Sequence, residues 1–247
     1  MKHVRNVTAW LGMVLAILSV AALGGCQQAT SAPDQPAPQA AVVTVFYDGS
    51  SSTAFVASPA YAEAAVKKVG QAVMDQRLGD EFRIVPFGSR TTDRSVAALS
   101  IASGYKLRLA SARKQVESSL SGLLEQDRQT GGDGTTNLLY SLENAHPTCT
   151  SRSRIIILSD GIEESEAYSA GRALMAGRPV HLPSPGSAYL KGCSVMFIGI
   201  GVSPMGGSGQ TAETLPSKQL ASLISGWRIY LESAGVSPAD MSFTSIL

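Results

Sequence analysis

Histidine is scarce in this chain of 247 residues. It occurs only at positions 3, 146 and 181, too far apart to suggest a His-based metal centre or a triad. Cysteine is equally rare: Cys26, Cys149 and Cys193 are too few for a disulfide scaffold, and no two have zinc-finger spacing. Charged residues make up 16% of the chain, and 20 basic side chains against 19 acidic ones leave no basic surplus to suggest nucleic acid as a partner. No Gly-x-Ser-x-Gly elbow is present, and neither His146 nor His181 has an obvious catalytic partner, which argues against a serine hydrolase. What remains is 44% hydrophobic residues in a chain long enough to bury a core without cross-links or metals.

The first residues form an address. Lys2, His3 and Arg5 precede an apolar run from Val7 to Leu23, which is marginal for a membrane span and is followed by polar, uncharged residues. This pattern reads as a secretory signal peptide over residues 1–25. Its end, Leu23-Gly24-Gly25-Cys26, resembles the lipobox of bacterial lipoproteins. That resemblance implies that Cys26 is lipidated and becomes the mature N-terminus. An uncleaved N-terminal anchor is the alternative. Gln27, standing where an aspartate would signal retention, favours the outer membrane over the inner one. Residues 27–41 are almost entirely Gln, Ala, Pro, Ser and Thr, with one charge at Asp34, and bury too little apolar surface to order themselves. As a tether they reach roughly 45 Å at about 3.1 Å per residue. The anticipated organisation is signal peptide 1–25, lipidated N-terminus and tether 26–41, and one folded domain 42–247.

Within that domain strands and helices alternate. Val42 to Tyr47 is a β-branched and aromatic run ending at Asp48-Gly49; Phe82 to Phe87 and Arg154 to Ser159 are similar, and Ser194 to Gly201 is a fourth. A weaker strand is expected near 96–101. Helices are expected from Ser58-Pro59 to about Arg77, from a capping Ser111 through Leu124, over Asn137 to Ala145, around Glu163–Met175, and through Leu220 to Leu231. Pro179 to Gly192 reads as a loop longer than usual, with room for a partner surface. Strands with no solvent face, separated by helices, predict an α/β fold: a doubly wound, mostly parallel central sheet flanked by helices. Ligands of such sheets bind beyond the carboxyl ends of the strands.

Three segments should meet there. The first strand ends in Asp48-Gly49-Ser50-Ser51-Ser52, the loop before the short helix reads Asp133-Gly134-Thr135-Thr136-Asn137, and the strongest strand runs into Asp160-Gly161. They offer carboxylates and hydroxyls without histidine, cysteine or lysine, a donor set suited to a hard cation such as Mg²⁺, Mn²⁺ or Ca²⁺. Asp48-x-Ser50-x-Ser52, the later threonine and Asp160-Gly161 resemble the metal-ion-dependent adhesion site of the von Willebrand factor type A family, over roughly residues 41–235. The resemblance implies a Rossmann-like fold in which Ser50 and Ser52 bind the ion directly. Thr136 would join them, with Thr135 as the other register, and Asp48 and Asp160 would bind directly or through water. A divalent ion held by neutral hydroxyls and two carboxylates accepts an acidic side chain from a protein partner. No general base or activated nucleophile is apparent beside it, so the expectation is binding and not catalysis. The competing reading has Asp48 and Asp160 capping helices and the serines satisfying a turn.

Two further features stand outside that site. Cys149 and Cys193 each precede a strong strand, so both should lie at the opposite end of the sheet. In an oxidising periplasm they can pair; two buried thiols are the alternative. Gly199-Ile200-Gly201 with Gly206-Gly207 has the wrong spacing for a dinucleotide loop and reads as a turn.

Overall fold

The computed structural model describes residues 40–88, 99–102, 108–166, 168–205 and 211–245, within a unit running Ala40–Leu247. The signal peptide, Cys26 and the tether up to residue 39 lie outside the described residues, as do residues 96–98 of the weak strand and Gly206-Gly207. Among the described residues no helix is long and apolar enough to cross a membrane.

Among the described residues, eight strands and six α-helices follow one another as β1 (Val42–Asp48), α1 (Ala54–Ala57), α2 (Pro59–Met74), β2 (Glu81–Phe87), β3 (Leu99–Ala102), α3 (Leu109–Thr130), α4 (Leu138–Asn144), β4 (Arg154–Leu158), α5 (Ala170–Met175), β5 (Ser194–Ile198), β6 (Val202–Met205), β7 (Thr211–Thr214), α6 (Ser217–Ser233) and β8 (Met241–Thr244). Six strands form the central sheet in the order β3-β2-β1-β4-β5-β8. All neighbours in it are parallel except β3, which runs antiparallel to β2. This is the doubly wound α/β arrangement that the alternation of buried runs implied.

Every residue of β1 is buried, because helices cover both faces. On one side Val43, Val45 and Tyr47 pack with Ala65, Val69 and Val73 of α2 and with Val116, Leu120 and Leu124 of α3. On the other, Phe46, Ile155, Ile157 and Phe197 meet Leu138 and Leu142 of α4 and Leu223, Trp227 and Leu231 of α6. Burying each large apolar side chain of this kind contributes about 1.5–3 kcal/mol. Successive connections leave β1 toward β2 on one side, while β4 and β5 build outward on the other. The winding therefore reverses between β1 and β4, and a crevice opens beyond their carboxyl ends. Asp48 ends β1 and Asp160 follows β4, so the topology itself sets both carboxylates at that crevice.

Four elements differ from the sequence expectation. Helix α3 begins at Leu109, so Ser111 lies in its first turn and does not cap it. The helix expected around Glu163–Met175 is reduced to Ala170–Met175, with Ser169 as its cap: the Ser169 hydroxyl accepts from the Arg172 N–H at 3.2 Å. Glu163 and Glu164 lie outside it, and their carboxylates bond instead to backbone N–H groups of α4 and α5. The Gly-rich turn after β5 continues into an antiparallel hairpin, β6 with β7. Finally β8, four residues of which Ser242 is exposed and the others half-buried, is too short to carry a periodic signal and adds parallel to β5.

Candidate metal centre

The three segments converge. The β1 loop and the loop before α4 are joined by a parallel bridge: the Ser51 N–H donates to Asp133 O at 2.9 Å and the Asp133 N–H to Gly49 O at 2.8 Å. The chain must come this close because Gly132 carries no side chain. A Cβ there would lie 2.8 Å from Ser51 N, on a backbone already at φ +66°. The loop before α4 is in turn bridged to the loop after β4, where the Glu164 N–H donates to Thr136 O at 2.9 Å. Backbone hydrogen bonds thus tie all three loops together.

The side chains follow. Ser50 Oγ lies 3.1 Å from Ser52 Oγ and accepts from Thr136 Oγ1 at 3.2 Å. Thr136 is buried, whereas Thr135 is exposed, so Thr136 is the threonine brought to the serines. Asp48 is fully buried; its Oδ1 accepts from the Ser50 N–H at 3.0 Å and its Oδ2 from the Ser159 hydroxyl at 2.7 Å. Asp160 is also buried and accepts from the Ile162 N–H at 2.9 Å. Behind it, Gly161 O accepts from the indole N–H of Trp227 at 2.7 Å, while the Gly201 N–H donates to Asp160 O at 2.7 Å. Gly161 stands at φ +71°, and a Cβ there would meet Trp227 Nε1 at 3.0 Å. Trp227, a fully buried core residue, therefore also fixes the path of the Asp160 loop.

Burial dominates the electrostatics. Desolvation pushes the Asp48 carboxyl up to about 6, against the lowering effect of its bonds to Ser159 and Ser50, and the nearby charge of Asp133 adds to the rise. Asp160 is raised well above the usual carboxylate range, first by burial and then by the charge of Asp48. No cation offsets either group among the described residues. Nor do any three His, Cys, Asp or Glu side chains there cluster as a metal cage. That count omits hydroxyls, which are three of the five donors here.

Three participants were not singled out in the sequence. Ser159 reads there as the last residue of a strand, yet its hydroxyl both donates to Asp48 and accepts from the Gly161 N–H at 3.0 Å. Asp133 supplies the bridge to the β1 loop. Glu163 is fully buried and reaches back to α4, where its Oε2 accepts from the N–H groups of Leu138 and Leu139 at 2.9 and 3.2 Å. Desolvation raises its carboxyl to about 7, with the charge of Asp48 adding to the effect.

At the opposite end of the sheet Cys149 and Cys193 form a disulfide, closing a separation of 44 residues with their Cα atoms 4.7 Å apart.

No family model matches the sequence, and no curated protein does. Among solved structures, the chain is similar to an aerotolerance-related membrane protein from Bacteroides fragilis NCTC 9343, at 13% identity and a TM-score of 0.41, covering 84% of this chain and 92% of that one. The conserved hypothetical protein BatB from Bacteroides thetaiotaomicron matches at 14% identity and a TM-score of 0.41, over 84% and 91%. The pilus adhesin SpaC from Lactobacillus rhamnosus GG matches at 12% identity and a TM-score of 0.42, over 85% of this chain and 29% of the adhesin. Likenesses of this strength say nothing of binding or activity.

Proposed function

We propose that this chain is a membrane-anchored bacterial lipoprotein whose folded domain, of the von Willebrand factor type A kind, binds a protein partner through a divalent cation. The observation that carries the reading is the meeting of Ser50, Ser52 and Thr136 hydroxyls with two buried carboxylates, Asp48 and Asp160, that have no basic partner among the described residues. Desolvated carboxylates without a countercharge are costly, and a cation offsets that cost. All five donors are oxygen, which suits Mg²⁺ first and Mn²⁺ or Ca²⁺ next. When bound, the ion supplies a coordination position for an acidic side chain of the partner. The chain's own part is to hold the hydroxyls together and keep Asp48 oriented through Ser159. The lipidated Cys26 and the tether would place this rim at some distance from an envelope membrane, with the outer membrane favoured.

A second reading has support of its own. The three loops are already joined by backbone bridges, and the hydroxyls satisfy one another without an ion. A rim that rigid can serve as a metal-independent scaffold within an envelope, secretion or conjugation assembly.

Melting of the full chain with chelator and with millimolar Mg²⁺ or Mn²⁺ separates the two. A cation at 100 times its Kd stabilises the native state by about 2.7 kcal/mol, which raises the melting temperature by roughly 5–10 °C in a domain of this size. Asp160→Ala should abolish the rise. An unchanged melting temperature in the parent protein would leave the metal-independent scaffold.

A further inference from the structure

Helix α4 begins immediately after Thr136-Asn137, yet it has no cap of its own: the Asn137 side chain makes no capping bond. The first N–H groups of a helix need acceptors, and leaving them unpaired in a buried setting costs about 1–3 kcal/mol each. The acceptor comes from 25 residues away. Glu163, on the loop that carries Asp160, directs Oε2 at the N–H groups of both Leu138 and Leu139. The same loop grips Thr136 itself through the Glu164 N–H, and the Glu163 carbonyl accepts from the Ala170 N–H at 2.8 Å, anchoring the loop to α5. Glu163 is fully buried, and its second oxygen, Oε1, has no hydrogen-bond partner. Its carboxylate thus lies between the loop that carries Asp160 and the helix that follows Thr136.

We infer that Glu163 is a positioning residue for the cation site, clamping the start of α4 to the Asp160 loop so that Thr136 and Asp160 are held in one register. The inference rests on the metal reading above and adds a residue to it. Without the clamp, Thr136 Oγ1 loses its fixed place at 3.2 Å from Ser50 Oγ. Groups that orient metal ligands from one layer out typically change affinity by about 10–100-fold when removed.

Three variants of the full chain test this, with Mg²⁺ alone as the probe and the titration midpoint as the readout. Glu163→Gln keeps an acceptor at the same reach without the charge and should hold the midpoint within about threefold. Glu163→Asp keeps the charge but falls one methylene short of α4, and should weaken Mg²⁺ by about tenfold or more; Glu163→Ala should do the same. Melting in chelator reports stability separately, and if Glu163→Ala does not fold, the Asp and Gln pair decides. A midpoint unmoved by Glu163→Asp, or moved equally by Glu163→Gln and Glu163→Asp, overturns the positioning role. Failure of the parent protein to bind Mg²⁺ overturns the metal reading and this inference with it. That failure appears before any variant is compared.

Discussion

The two ends of the central sheet solve the same electrostatic problem in opposite ways. At the end where the strands begin, Asp80 is buried but provided for within the chain: it accepts from the Ala41 and Arg77 N–H groups at 2.9 and 2.8 Å and pairs with Arg152 at 2.6 Å. The Cys149–Cys193 disulfide fastens the starts of β4 and β5 nearby. At the end where the strands finish, Asp48 and Asp160 are equally buried, yet among the described residues no arginine or lysine pairs with them, and both are pushed toward the protonated form. The sheet that joins the two ends is the same. Among the described residues, then, a buried carboxylate is compensated by an arginine at one end of the sheet and by hydroxyl and N–H donors alone at the other. A rim left short of positive charge is one that an external cation or a proton will fill.

Three perturbations test how separate the two ends are. Reducing the Cys149–Cys193 bond should have the largest effect. Opening a 44-residue loop removes about 4 kcal/mol in the chain-entropy model, or roughly ten degrees of melting temperature. The Mg²⁺ midpoint should not move, and a midpoint that shifts with reductant would show the ends to be coupled. Next, Arg152→Ala removes the cation from the buried Asp80 and should cost about 3 kcal/mol in denaturant unfolding, again with no change in Mg²⁺ binding.

The smallest effect belongs to the rim in chelator. Glu163 has its folded value raised to about 7 from an ordinary 4.5. Its contribution is therefore full below about pH 4.5 and is lost as pH rises through 7, so stability should fall by about 2 kcal/mol between pH 5 and pH 8. Asp48, raised to about 6, acts in the same direction. Glu163→Gln should flatten the slope; a slope that persists undiminished in that variant would assign it elsewhere.

Much of this was legible in the sequence, for identifiable reasons. Buried parallel strands such as Val42–Asp48 and Arg154–Leu158 are mostly apolar, and Asp48 at the end of the first and Asp160 after the second can be assigned to one rim by topology alone. Thr136 and Thr135 could not be separated as firmly, because the choice depends on which hydroxyl turns inward. Ser159 was hidden by its place at the end of a strand. Glu163 and Glu164 were read as the start of a helix running to Met175. Their carboxylates instead cap α4 and α5, partners that no local pattern reveals. Strand β8 and the β6–β7 hairpin are four-residue elements whose pairing is decided by neighbours distant in sequence.

Periodicity and strand-end chemistry, which are local properties, thus determined the class of fold, the polarity of the sheet and the kind of donors gathered at its rim. Tertiary structure alone decided which of the described acids receives a cation from the chain, because that depends on what approaches each carboxylate from far along the sequence, as Arg152 approaches Asp80 across 72 residues. It also placed Glu163 between the two halves of the site. A buried carboxylate takes its partners from whatever the fold brings within three ångströms, and the order of residues along the chain does not record that.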